Sequence, residues 1–469
     1  LPEAPRLQDS LEDQPHELAE SFAQRFSLRQ PAVRAAAWQF ASYLASQGIR
    51  FGSNLVLTRL LVPEDFALML LVNLFLHGLQ MFSDMGLGPA LIQRRDGIET
   101  RFLHTAWTIS LGRGALLWGF ACLLAWPIAS FYGEPRLLAV MPVAAFSLFL
   151  DATCSTYVVV LERRLQYRPI IFIELFSYLV SVAAMILGAL YTSTVWPLVA
   201  GLLINAGLSS ALTHFLPGAP RMRLLLDRKA TAQMIRFGKW LFVSSMLTFL
   251  AGQLDRIILG KLLHVNELGV YAIAFMIAQV MVALTHELAR GVLYPVYARA
   301  HELGADHLRS QVLRYRLALL TVILPPCLLL YTAGPEIVRF LYDNRYWEAG
   351  WMLQSLALGA MLTAIIVPAE SILLASGDSY RHMLLQAVET VAMCVSMALG
   401  YHFGGTPGLI IGYSLAGLLQ YPFLVLFIRP YGVWLPKLDL TVASILLLLL
   451  ALITEARGYF HLWGFHGAA

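Results

Sequence analysis

The chain has 469 residues, 58% of them hydrophobic and only 13% charged, with a net charge of +4 and a mean hydropathy of +0.67. Soluble domains carry about 25% charged residues, so half that share, spread over many long apolar runs, describes a polytopic all-α membrane protein and not a soluble enzyme. The small net charge selects no partner by itself, and no nucleic acid is expected. Cys122, Cys154, Cys327 and Cys394 lie in apolar segments without metal-type spacing and read as small core residues.

Residues 1–34 are polar and mixed in charge, with no signal-peptide pattern, and are expected to form a cytoplasmic arm. A spanning helix needs about 20 mostly apolar residues. Six candidates follow the arm: Ala35–Leu57, Phe66–Gly86, Phe102–Trp126, Leu137–Val160, Ile170–Leu190 and Val195–Phe215. They make an N-terminal lobe over 35–216. A polar break, expected to be a cytoplasmic linker, covers 217–233. Six more candidates form a second lobe over 234–432: Met234–Leu259, Leu268–Leu293, Leu313–Thr332, Trp351–Leu374, His382–Phe403 and Gly408–Ile428. A thirteenth, Leu440–Thr454, lies in the remaining segment, 433–469.

The two sets of six are related. Shifting the chain by 202 positions places Trp38, Phe40 and Ser42 on Trp240, Phe242 and Ser244. The same shift places Leu57–Leu61 on Leu259–Leu263, and Asp65-Phe66 on Glu267-Leu268. After the second span of each set comes a basic amphipathic stretch, Leu91–Arg101 and Tyr294–Arg316, expected to lie in the membrane interface. After the third comes an aromatic, acidic turn, Phe131–Pro135 and Phe340–Asn344. Lys and Arg concentrate in alternate loops, Arg316 among them, while the opposite loops hold only Arg59, Arg136, Lys261, Arg339, Arg345 and Arg457. That asymmetry predicts a cytoplasmic N-terminus.

Polar residues at membrane depth recur on single helix faces. Ser42, Ser46, Arg50 and Asn54 form one stripe, and Ser244, Thr248, Gly252 and Arg256 form its copy. The second span carries Asn73, His77, Gln80 and Asp84; its copy carries Gln279, His286 and Arg290. Arg113, Asp151 and Glu174 follow on the third, fourth and fifth spans, and Glu370 and Glu389 later. An arginine facing lipid costs roughly 2.5–3.5 kcal/mol, so Arg50, Arg113, Arg256 and Arg290 together would cost about 10 kcal/mol. They are expected to face a watery cavity between the lobes or to meet the carboxylates Asp84, Asp151, Glu174, Asp255 and Glu287. Those nearest the helix ends can also snorkel. A guanidinium-lined cavity suits an anionic ligand, diphosphate in particular. No nucleophile elbow, phosphate-cradling glycine loop or paired-histidine metal motif is present, so no catalytic residue and no metal site is expected.

The segment LTRLLVPEDFALMLLVNLF, then FSDMGLGPALIQRRD, then FYGEPRL resembles the polysaccharide-transport branch of the multidrug/oligosaccharidyl-lipid/polysaccharide exporter superfamily. Arg59–Leu61 with Pro63–Phe66, Asp84–Gly88 and Ile92–Arg94 carry most of the likeness, with weaker support from Leu268–Tyr271 and Ala289–Gly291. The resemblance implies a V of two pseudo-symmetric six-helix lobes around a central cavity, plus at least one extra C-terminal helix. It also implies an inner-membrane flippase for undecaprenyl-diphosphate-linked oligosaccharides, working by alternating access for exopolysaccharide, O-antigen or capsule synthesis. On that reading Arg50, Arg113, Arg256, Arg290, Asn54, His77 and Gln80 hold the diphosphate and glycan. Asp84, Asp151, Glu174 and Asp255 tune the arginines or carry a coupling ion, H+ or Na+, with no other cofactor. Membrane lipids and the polymerase and chain-length or export proteins of the same pathway are the expected partners. The rival readings are a multidrug cation antiporter, which should show more cavity carboxylates than arginines, a lipid II flippase, and a polyprenyl-dependent transferase.

Overall fold

The computed structural model describes residues 42, 45–83, 100–164, 166–227, 249 and 252–462, with side chains to 452. In order the helices are α1 (45–60), α2 (Pro63–Ser83), α3 (Thr100–Tyr132), α4 (Leu137–Ala152), α5 (Tyr157–Arg163), α6 (Tyr167–Tyr191) and α7 (Trp196–Thr213). Then come α8 (252–262), α9 (Val265–Leu288), α10 (Tyr294–Glu302), α11 (Ala305–Leu341), α12 (Ala349–Ala375), α13 (Ser379–Ile428) and α14 (Pro436–Leu462). No strand occurs among the described residues. Every segment expected to span is mainly helical over its described part. This is the outcome a lipid solvent imposes, since each backbone N–H and C=O must find its partner within the segment. Seven described helices are long and apolar enough to cross a bilayer, or eight with the bent α4–α5 pair taken as one span.

The chain divides into two compact units, Leu1–Val62 with Phe75–Met246, and Pro63–Leu74 with Leu247–Ala469. The duplication is visible in how matching turns are closed. Leu61 N donates to Leu57 O at 2.8 Å, and Leu263 N donates to Leu259 O at 2.8 Å, the same bond at the same 202-residue offset. The aromatic turns also match beyond what their composition signalled. Arg136 Nε donates to Glu134 at 2.7 Å, and Arg345 Nε donates to Asp343 at 2.9 Å. Both are an acid and an arginine two residues apart, and the left-handed Gly133 (φ 70°) sets up the first.

In the first unit the fourth expected span is not one helix. α4 and α5 meet at 62° across Thr153–Thr156. The cause is hydroxyl competition for the backbone. Thr153 Oγ1 donates to Leu150 O at 2.6 Å and lies 2.6 Å from Ser210 Oγ, while Ser155 N donates to Thr213 Oγ1 at 2.9 Å. Trp107 Nε1 and His214 Nε2 approach the Thr153 carbonyl at 3.0 and 2.8 Å, so side chains of α3 and α7 take up a carbonyl that the break frees. The polar segment after α7 is equally well held. It runs extended along α3, where the amides of Arg223, Leu225 and Asp227 donate to His104, Thr108 and Thr105 side chains.

The second unit is built around α12, whose Ala, Met, Leu, Ile and Ser residues are buried along most of its length. α13 is two helices joined at Gly405 (φ 58°), folded back so tightly that a Cβ on Gly400 would meet the backbone at Gly408 and one on Gly412 the backbone at Ser396. The second basic stretch becomes α10, then Gly304 (φ 108°), then the start of α11; residues 91–99 of the first lie outside the described residues. Arg316 corrects the loop count: it is 1% exposed, and its Nη2 donates to Asp439 at 2.7 Å and to Ile365 O at 3.1 Å. Tyr421 OH donates to the other Asp439 oxygen at 2.6 Å, so this ion pair pins α14 into the core. The thirteenth helix is an integral part of the second unit.

Candidate functional site

Two polar clusters sit at membrane depth, one in each unit. In the first, α2, α3 and α4 bring together three of the expected residues. Gln80 Nε2 donates to Asp151 Oδ2 at 3.4 Å, and the half-buried Arg113 lies within electrostatic reach of the same carboxylate. His77 is exposed on α2 about one turn before Gln80, and Asn54 is half-buried on α1 with Arg50 exposed one turn before it. Glu174, on α6, is exposed and faces Glu162, not an arginine. Asp84 and the DMGLG motif lie outside the described residues.

The second cluster lines a cavity of about 310 Å³ walled by α8, α9, α12 and α13. Asp255 and Arg256 come from α8, Gln279 and His286 from α9, Glu370 from α12, and Glu389 and Tyr413 from α13. Asp255 is 3% exposed; the Tyr413 hydroxyl bonds to it, and its Oδ2 has no hydrogen-bond partner among the described residues. Burying a carboxylate with an unmatched oxygen is costly unless it takes up a proton or a cation. Arg256 lies over the Phe275 ring at 4.4 Å, bonds to Gln253 through Nη1, and leaves Nε unmatched among the described residues. Asp255 Oδ2 and Arg256 Nε are thus buried polar atoms without a hydrogen-bond partner among the described residues, although Asp255 also lies in the field of Arg256.

This cavity lies within the second unit. Three carboxylates, Asp255, Glu370 and Glu389, face one arginine. Arg290 is not among its walls: its side chain is 74% exposed and paired with Glu287 at 3.2 Å. Glu287 is one of the carboxylates the sequence led us to expect beside it, and residues Ala289–Leu293 form a π turn there. Glu370 and Glu389 were visible as intramembrane acids, but nothing in their spacing joined them to Asp255. Tyr413 carried no signal at all. Among the described residues no group of three His, Cys, Asp or Glu side chains could hold a metal ion.

A family of polysaccharide biosynthesis proteins matches residues 56–350. Among curated relatives, the lipopolysaccharide biosynthesis protein WzxC of Escherichia coli (strain K12) is 22% identical over 401 residues, covering 84% of this chain and 80% of that one. The succinoglycan biosynthesis transport protein ExoT of Rhizobium meliloti (strain 1021) is 24% identical, covering 72% and 67%. Among solved structures, the lipid II flippase MurJ in an inward closed conformation superimposes with a TM-score of 0.65 at 12% identity, covering 85% of this chain and 87% of that one. An inward-facing multidrug resistance MATE family transporter of the MOP superfamily gives 0.65 at 14% identity, covering 83% and 94%. These two carry the fold alone. The chain belongs to the polysaccharide biosynthesis protein family, in the polysaccharide-transport branch of the multidrug/oligosaccharidyl-lipid/polysaccharide exporter superfamily, and is a multi-pass membrane transporter and not an enzyme.

Proposed function

We propose that the protein flips undecaprenyl-diphosphate-linked oligosaccharide units from the cytoplasmic to the periplasmic leaflet of a bacterial inner membrane, by alternating access, with its N-terminus cytoplasmic. Family membership and relatives named for lipopolysaccharide and succinoglycan biosynthesis support the substrate class. The observation that carries the mechanism is the cavity of the second unit, where a buried carboxylate with an unmatched oxygen stands beside an arginine with an unmatched N–H. Arg256 supplies guanidinium to the diphosphate. Asp255 and Glu389 carry the coupling cation, a proton on this reading, so that loading one site favours release at the other. Polymerase and chain-length or export proteins of the pathway receive the product.

In a strain deleted for the gene, Arg256→Ala, Asp255→Asn and Glu389→Gln should each fail to restore polymer while reaching the membrane in normal amounts. Normal polymer from all three would remove the site. The excess of carboxylates over arginines favours a second reading, export of organic cations. Drug susceptibility of the same deletion strain decides between the two: raised susceptibility with unchanged polymer supports the antiporter.

A further inference from the structure

The cavity of the second unit has a polar exit that the transport reading does not use. On α13, His382, Gln386 and Glu389 are spaced i, i+4 and i+7 and so share one face. Gln386 and Glu389 line the cavity, and His382 stands three residues inside the first turn of the helix. Across from it Glu370 lines the cavity from α12, about 7.5 Å before that helix ends at 1.5 Å per residue. His382 Nε2 and the Glu370 carboxylate are 3.0 Å apart, with side chains 20% and 14% exposed. A stripe of titratable and amide groups therefore leads from the deep Asp255–Tyr413 pair to a half-buried histidine at the end of the unit where α12 and α13 are joined.

The charged and titratable groups that act on that pair come from α8, α9 and α13. α9 presents His286, with Glu287 and, from the π turn, Arg290 close to it; α13 presents Glu389; α8 presents Asp255 and Arg256 at the far end. Arg381 is diverted, bonded instead to Asp378 at 3.1 Å and to the Tyr431 hydroxyl. A purely structural ion pair would not need to open onto a polar cavity or to continue as a stripe of proton-accepting groups. A cavity of about 310 Å³ that offers Asp255, Gln279, Glu370, Gln386 and Glu389 among apolar walls has room and polar partners for bridging water.

We propose that His382 and Glu370 form the proton outlet of the second unit, passing the coupling proton between Glu389 and the aqueous phase at the α12–α13 end. It rests on the reading of the cavity carboxylates as proton carriers. A proton on Glu389 moves through cavity water to the Glu370 carboxylate, then to His382 Nε2, and leaves to bulk water. Each group returns to its starting state, so one proton leaves for each that enters.

The test needs no transported lipid. The protein in nanodiscs is given a pH jump, and the infrared carboxyl band that Glu389→Gln abolishes is followed in time. A positioned proton-transfer group contributes about 100-fold or more to such a step, so His382→Ala and Glu370→Gln should slow the Glu389 band by roughly 100-fold while leaving its final amplitude unchanged. Imidazoles added to the buffer should restore the His382→Ala rate in the order of their basicity. A wild-type rate in both variants overturns the outlet. So does rescue that is equal for all imidazoles, which would mark a packing role. Neither result touches the transport reading, which stands or falls on polymer production by Glu389→Gln and Asp255→Asn.

Discussion

Removing Asp439 should destabilise the protein more than any other single change to its surface-distal polar groups. The carboxylate accepts from Arg316 Nη2 at 2.7 Å and from Tyr421 OH at 2.6 Å, and Arg316 is 1% exposed. In Asp439→Ala the guanidinium stays buried with no counterion, a loss of about 3–5 kcal/mol. Asp439→Asn keeps an acceptor but removes the charge, and should cost about 1.5–3 kcal/mol, the worth of a charged hydrogen bond. The double variant Arg316→Met with Asp439→Leu fills the same space with apolar groups and should fall near wild type, since such replacements are often neutral or stabilising. Equilibrium unfolding in mixed micelles with increasing SDS measures all three. The reasoning fails if Asp439→Ala costs less than about 1 kcal/mol, or if the double variant is as unstable as the single one.

Three further outcomes follow from the turns and contacts. Thr213→Val removes the acceptor of the buried Ser155 amide at the α4–α5 break and should cost about 1–3 kcal/mol in the same unfolding assay. Gly400→Ala places a methyl group against the backbone at Gly408 and should cost about 1–3 kcal/mol by overpacking, with Gly404→Ala, where a Cβ has open space, as the near-neutral control. Arg136 holds the Glu134 carboxyl below the ordinary carboxylate range through its hydrogen bond. A depressed folded value means the pair stabilises above the unfolded carboxylate pKa and loses its effect as pH falls through the folded one. Arg136→Gln should therefore weaken the protein at neutral pH by about 0.2–1 kcal/mol, the guanidinium being 48% exposed, and the difference should vanish in acid.

The spans were legible because apolar runs of bilayer length leave the backbone no alternative, and the duplication because Leu57–Leu61 and Leu259–Leu263 keep register. What escaped depended on partners distant in sequence. Arg316 reads as a loop charge until Asp439, 123 residues later, is seen beside it. The break after Ala152 needs Ser210 and Thr213, which belong to another helix. Of the expected site, Gln80, Arg113 and Asp151 converge, as do Asp255 and Arg256, because each group lies on an undisturbed helical face. Arg290 pairs with Glu287, a carboxylate the sequence offered as its partner, at the start of a π turn that the sequence did not signal.

The extended segment after α7 sets a two-residue pitch, since the amides of Arg223, Leu225 and Asp227 all point toward α3. Adding or deleting one residue between Arg223 and Asp227 would, with the Arg223 bond kept, turn the Asp227 amide away from α3 and take its donor from Thr105 Oγ1. Sutures between halves of related transporters, affinity handles and protease sites placed here would have to come in even-numbered steps. The stretch is a ruler as much as a tether, and chimaeras cut at this point should respect its reading frame.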